Sequence, residues 1–65
     1  MPYNITTRVT RHALTDTYQG RIEVFDSGRY CWDEKSHVLR ITHADALADA
    51  QRMKQELITA NQNEV

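Results

Sequence analysis

The stretch from Thr42 to about Ile58 constrains the fold most, because its apolar residues recur with the period of an α-helix. At 100° per residue the charged residues fall opposite one apolar stripe. That stripe consists of Ala46, Ala50, Met53, Leu57 and Ala60, with Leu47 and Ile58 at its edge. Thr42 suits the N-cap, since its hydroxyl can accept a hydrogen bond from a free backbone N–H of the first turn. The pattern predicts an amphipathic helix whose apolar face the preceding chain must cover.

The residues before this helix alternate between apolar and polar in short runs, which is typical of half-buried strands. The runs cover 3–10, 21–25, 29–32 and 37–41. Turn residues separate the later runs at 26–28 and 33–36, while 11–20 reads as a loop or wide turn with Leu14 tucked beneath it. We predict an α+β fold: a small antiparallel meander of three or four strands, followed by one C-terminal amphipathic helix packed on one sheet face. The order is ββββα, or βββα if the first run does not pair.

The small residues of the helix indicate how it packs on this sheet. Ala46 and Ala50 allow a close backbone approach, and larger side chains then fill the remaining space. We expect those side chains to be Ile22, Tyr30, Trp32 and Leu39, with Tyr30 and Trp32 on the same face of their strand. Residues 1–60 should form one domain, and 61–65 a polar C-terminal tail.

The predicted helix is longer than the predicted strands, which suggests self-association. The helix should span roughly 25 to 28 Å, whereas five-residue strands cover roughly 17 Å. An overhanging apolar turn would meet a second copy of the chain, so we expect a homodimer. Its interface would contain Met53, Leu57 and Ile58.

Charge and cysteine content exclude several classes of protein. Eight Lys and Arg residues against nine Asp and Glu residues give a formal net charge of −1, so there is no global positive field to hold nucleic acid or an anionic membrane. Cys31 is the single cysteine, so an intramolecular disulfide cannot form. The N-terminal stretch lacks the apolar core of a signal peptide, and we expect a cytoplasmic protein.

Few residues suggest chemistry. Cys31, His37 and His43 are of ligand type, but their spacing fits no standard zinc site. Cys31 and His37 are also the one nearby pair that could form a nucleophile and base, yet an open sheet offers them no oxyanion hole. We expect no metal, no cofactor and no enzymatic activity.

The polar side of the helix is a candidate docking surface for a larger protein. It carries an acidic ridge that could meet a basic patch on a partner. The ridge contains Asp45, Asp49, Arg52 and Glu56. Our first hypothesis is therefore a non-enzymatic protein-binding module, of the kind that bacteria and phages encode as regulators or inhibitors.

The alternative hypothesis is a nucleic-acid-binding protein that reads DNA or RNA with its sheet. Five arginines lie on the predicted strands or at their ends, and strand arginines beside aromatic residues can contact phosphates and bases. They are Arg8, Arg11, Arg21, Arg29 and Arg40. Strand arginines also protect sheet edges from aggregation, which is a purely structural role.

The segment RIEVFDSGRYCWDEKSHVLRITHADALADA resembles two families in the order of its elements. One comprises the three-stranded DNA-binding domains of the AP2 and integrase arm-binding type. The other is the HicB-like antitoxin domain, which is similar to half of an RNase H fold. The first family typically carries basic and aromatic residues on its DNA-facing strands, where this chain has Glu23, Asp26, Asp33 and Glu34. The resemblance is one of shape and transfers no residue roles.

Overall fold

The computed structural model describes residues 3–62. Within them lie three strands and one helix, namely β1 (Tyr3–His12), β2 (Thr17–Asp26), β3 (Arg29–Arg40) and α1 (His43–Gln62). The strands form one antiparallel sheet in the order β1-β2-β3, and α1 packs against it. The predicted α+β meander with a C-terminal helix is confirmed with three strands, although the first run pairs with β2 and the last two predicted strands form the single strand β3. The helix includes the first two residues of the predicted tail, and residues 63–65 lie outside the described residues.

The β1–β2 hairpin is longer than the sequence suggested. The two strands pair without interruption from Tyr3 opposite Asp26 to His12 opposite Thr17. The turn is confined to 13–16, where Asp16 has a φ of 53°. The prediction of a loop over 11–20 is therefore wrong at both ends of that range, because strand pairing outweighs the weak local preference of those residues.

The β2–β3 turn has the predicted form. Ser27 and Gly28 occupy the two central positions with φ angles of 52° and 83°. Positive φ at both central positions is the hallmark of a type I′ turn, whose twist matches that of the flanking strands. Asp26 and Arg29 close the hairpin as a cross-strand pair.

β3 is one continuous strand, so the predicted turn at 33–36 is wrong. Asp33, Glu34 and Lys35 pair with successive residues of β2. Backbone pairing along β2 supplies hydrogen bonds that a solvated turn would leave to water, and this outweighs the polar character of the segment. Correspondingly, the four-stranded order is excluded for the described residues.

Two irregularities interrupt the β2–β3 ladder. Near Gly20 the register shifts, so that Gln19 pairs with Leu39 but Arg21 pairs with Lys35. There the Gln19 amide donates to the Ser36 carbonyl oxygen at 2.7 Å, and the Val38 backbone N–H donates to the Ser36 hydroxyl at 3.2 Å. These side-chain bonds satisfy backbone groups that the shifted ladder does not pair.

The second irregularity separates two aromatic residues that we expected on one face. Val24 pairs with Trp32 and the next residue, Phe25, pairs with Tyr30, which leaves Cys31 as an extra residue in β3. A bulge of this kind reverses the alternation of side chains. Trp32 therefore lies on the helix-facing side of the sheet and Tyr30 on the open side. The prediction of a shared face is wrong.

The helix begins and packs as its sequence indicates. The Asp45 backbone N–H donates to the Thr42 hydroxyl at 3.2 Å, which confirms the N-cap. Ala46 and Ala50 are completely buried, and Met53 and Leu57 are half-buried beneath the same side of α1. Ala60 is exposed, and Asp49 is buried on a side that we expected to face solvent.

The core is small and lies between α1 and the first two strands. Its buried members are Ile5 from β1, Ile22 and Val24 from β2, and Ala50 from α1. Trp32, Tyr30 and Leu39, which we expected to fill this space, are all exposed. The small core reflects how closely the helix approaches the sheet.

Gly20 sets that approach. A Cβ atom at this position would collide with the carbonyl oxygen of Ala46 and would lie 2.9 Å from the backbone nitrogen of Ala50. No side chain fits there, so the backbones of β2 and α1 meet directly. Glycine is used here for the space it leaves rather than for its conformational freedom.

The overhang of α1 is not observed. Strands of 10 to 12 residues extend about 33 to 40 Å, and a helix of 20 residues extends about 30 Å. The strands are about twice as long as predicted, so α1 has no overhanging end to suggest a homodimer, and self-association stays a prediction.

Gly20→Ala should destabilise the fold by about 3 kcal/mol or more, because the added methyl group must push α1 away from β2. The matched control is Gly28→Ala, which meets no atom within 4 Å and should cost only about 1–2 kcal/mol through its positive φ. Urea denaturation measures both. Equal losses in the two variants would contradict the close contact at Gly20.

Candidate functional site

A partly buried ion pair joins the sheet to the helix and involves two residues with predicted binding roles. Arg40 at the end of β3 donates to both carboxylate oxygens of Asp49, from Nε at 2.7 Å and from Nη2 at 3.0 Å. The Asp49 side chain is only 4% exposed. These hydrogen bonds hold the pKa of Asp49 below its usual value and raise the pKa of Arg40. The arrangement is a structural clamp between β3 and α1.

The remaining members of the predicted acidic ridge lie on the exposed side of α1. Arg52 contacts Asp49 at 3.4 Å and Glu56 at 3.8 Å, at helical spacings of three and four residues. Asp45 is exposed in the first turn. The ridge is thus interrupted, because Asp49 is directed inward and Arg52 lies among the carboxylates. Binding of a partner by Asp45, Arg52 and Glu56 stays a prediction.

The five arginines of the nucleic-acid hypothesis do not form a shared positive surface. Arg40 faces the helix, and Arg11 pairs with Asp16 in the β1–β2 turn at 3.0 Å, which raises the Arg11 pKa. On the open face, Glu23 accepts from Arg8 at 2.7 Å and from Arg21 at 3.5 Å. Arg29 is exposed beside the β2–β3 turn. Four of the five arginines therefore contact a carboxylate of the same chain, and two of them share Glu23.

The residues predicted to form a dimer interface contact the core of the single chain. Met53, Leu57 and Ile58 are half-buried and pack against the cluster of Ile5, Ile22, Val24 and Ala50. They contribute to folding in each protomer. Whether their exposed parts also contact a second copy stays a prediction.

The aromatic side chains form separate pairs on the two faces of the sheet. Trp32 contacts Tyr3 edge to face with ring centroids 6.0 Å apart, and Phe25 contacts Tyr30 in the same manner at 6.1 Å. The indole N–H of Trp32 donates to Glu34 at 3.3 Å, and the Tyr30 hydroxyl donates to Asp33. Neither pair is buried, so the Trp32 and Tyr30 rings remain accessible to a ligand or partner.

The ligand-type residues that we considered for metal binding are dispersed. Cys31 is exposed in the bulge of β3, with its thiol 3.6 Å from the Arg29 carbonyl oxygen. The His43 ring packs against Tyr18 at 5.9 Å, and His37 is exposed on β3. A further histidine, His12, shares a hydrogen bond of 3.0 Å with Gln19. Across residues 3–62, no group of three or more His, Cys, Asp or Glu side chains is placed to hold a metal ion.

The feature that sequence reasoning missed is an apolar surface where the β1–β2 hairpin ends. Leu14, at the tip of the hairpin, is completely exposed instead of being tucked under a loop. It lines an open groove of about 300 Å³ together with His12, Ala13, Thr15 and Leu39. Leu39 is 50% exposed, and Ile41, two residues further along, is 83% exposed. We call Leu14, Leu39 and Ile41 the hairpin-end surface.

Comparisons with known proteins add no relative: no family model matches the chain, and no curated protein or solved structure matches it significantly. The helix α1 has 20 residues, but it is not apolar enough to cross a membrane.

Asp49→Asn should destabilise the fold, because it removes the charge that Arg40 binds and places an amide N–H against the guanidinium. We expect the melting temperature at pH 7 to fall by about 5 °C or more. Asp45→Asn removes an exposed carboxylate from the same helix and should change the melting temperature far less. Equal effects would mean that the Arg40–Asp49 contact does not stabilise the fold.

The same clamp predicts a pH dependence with a defined sign. The folded-state pKa of Asp49 lies below the ordinary value of 3.8. The contribution of Asp49 to the free energy of unfolding is therefore complete above pH 3.8, and it is lost as the pH falls through the lower folded-state pKa. The stability difference between the wild type and Asp49→Asn should therefore shrink below about pH 4. A stability difference between the two proteins that is constant from pH 7 to pH 2 would contradict this pH dependence.

Proposed function

We propose that this chain is a non-enzymatic protein-binding module that docks on a larger protein through its hairpin-end surface and regulates or inhibits that protein. The observation that carries the proposal is the joint exposure of Leu14, Leu39 and Ile41 at one end of the sheet. Single exposed aliphatic residues are common on soluble proteins, whereas neighbouring ones mark interaction surfaces.

The position of Leu14 supports an external role. Tight turns favour Gly, Asn, Asp and Ser, and a completely exposed leucine there buries no area in the folded chain. It therefore contributes nothing to folding that a polar residue would not supply. A leucine at the tip of a rigid hairpin is well placed to enter an apolar pocket on a partner.

The surroundings of the surface resemble the anatomy of a protein interface. Its aliphatic centre is bordered by polar groups, namely the His12 ring, the hydroxyl pair of Thr15 and Thr17 at 2.7 Å, and the ion pair of Arg11 with Asp16. Interfaces between proteins commonly combine an apolar centre with a polar rim. The partner should accordingly present an apolar depression surrounded by polar groups.

The internal pairing of the arginines favours a protein partner over nucleic acid. Phosphate-dominated binding requires cations that release counterions, and Arg8, Arg11 and Arg21 each contact a carboxylate already. Nucleic-acid binding by the sheet remains the competing outcome of the test below.

Leu14→Asp should abolish binding to the partner while changing the free energy of unfolding by less than about 0.5 kcal/mol. The control is Gln55→Asp, which adds the same charge at an exposed position of α1 away from this surface. Each form is immobilised and exposed to an extract of the source cells, with and without nuclease, at low and at high salt. We expect one protein to be retained by the wild type and Gln55→Asp under all these conditions, and to be lost with Leu14→Asp.

Two results would contradict the proposal. In one, Leu14→Asp retains the same proteins as the wild type. In the other, only nucleic acid is captured, it is released at high salt, and Leu14→Asp binds it as well as the wild type does. The second result would support the nucleic-acid alternative.

A further inference from the structure

The helix-facing side of β3 is only partly covered. α1 lies mainly over β1 and β2, so a strip of β3 remains open beside the helix. Trp32 and Glu34 belong to this strip, since they pair with Val24 and Ile22, which are buried beneath α1. The strip and the flank of the helix form a groove, which we call the β3–α1 groove.

The β3–α1 groove has an apolar floor and an acidic rim. Ile22 forms its floor, Met53 and Leu57 line it from the helix, and Glu34 and Glu56 face each other from the two sides. Its volume is about 250 Å³. A side chain with an aliphatic stem and a cationic head matches this combination, because the stem can cover the floor while the head remains at the rim.

The two rim carboxylates are weakly engaged by the protein itself. Among the described residues, Glu34 accepts a hydrogen bond from the Trp32 indole at 3.3 Å. Glu56 contacts Arg52 at 3.8 Å, and both side chains of that pair are largely exposed. Such a contact is readily exchanged for a cation of a ligand.

An aromatic ring adjoins the same end of the groove. Trp32 is 37% exposed and is held in place by its edge-to-face contact with Tyr3. The indole N–H points at Glu34, so a ligand that binds this carboxylate lies close to the Trp32 ring. A second depression continues the groove towards Ser36, and Lys35 and Arg52 line it together with Glu34, Met53 and Glu56.

We propose that the β3–α1 groove binds an arginine side chain, flanked by an aliphatic residue, from a segment of a partner protein. Arginine fits better than lysine, since its planar guanidinium presents several N–H donors in a fixed fork that matches a carboxylate. This inference goes beyond the proposed function, because it assigns a second surface and the chemistry of its ligand. It does not require the hairpin-end surface.

A direct binding measurement tests the groove. The probe is the capped peptide Ala-Leu-Arg-Leu-Ala, and the signal is the emission of Trp32, the single tryptophan. We expect saturable binding with a Kd of about 1 mM or tighter. The same peptide with citrulline, the neutral isostere of arginine, should bind about two- to fivefold more weakly, as should the variants Glu34→Gln and Glu56→Gln.

Two control variants make the outcome specific. Asp45→Asn removes an exposed charge outside the groove and should leave the affinity unchanged, and Leu14→Asp should leave it unchanged as well. Absence of saturable binding would overturn the proposal, and so would a loss with Asp45→Asn equal to that with Glu34→Gln. Either failure would leave the hairpin-end surface untouched, because that surface is tested by the capture experiment.

Discussion

Direct contact between the backbones of β2 and α1 determines the rest of this structure. Gly20 leaves no Cβ between the strand and the helix, and Ala46 and Ala50 present only methyl groups to the sheet. The helix therefore lies close to the sheet and leaves little volume for large side chains. Arg40 and Asp49 hold the same end of the helix to β3, so packing and electrostatics act at neighbouring positions.

This close packing explains why so much apolar surface stays exposed. Among the residues that the structure describes, only Ile5, Ile22 and Val24 are large buried aliphatic residues, which is a small core even for a short chain. Trp32 and Leu39 lie beyond the area that α1 covers, and Leu14 lies beyond the sheet. The exposed groups fall into two regions, the hairpin-end surface and the β3–α1 groove. Both regions follow from where the helix lies.

The sequence predicted the features that depend on local pattern. The period of 3.6 residues identified the helix and its buried alanines, Thr42 identified its start, and Asp26-Ser27-Gly28 identified the turn. Features that depend on pairing were missed. The polar run at 33–36 belongs to β3 because β2 lies beside it, and the bulge at Cys31 separates Tyr30 from Trp32.

The candidate sites were less predictable than the fold. Asp49 has the character of a solvated helix residue, and only the proximity of Arg40 from β3 explains its burial. Leu14 gave no signal, because the size of the β1–β2 turn was not evident from the residues around it. Glu34 was assigned to a turn, so its position opposite Glu56 could not be foreseen.

The most direct measurement of the central contact is a nuclear Overhauser experiment on the labelled protein in solution. The structure predicts strong cross-peaks from the α-protons of Gly20 to the amide proton of Ala50 and to protons of Ala46. A helix placed differently would instead give cross-peaks from the Ala46 and Ala50 methyl groups to β3. That pattern, without the Gly20 cross-peaks, would contradict this account of the fold and of both exposed surfaces.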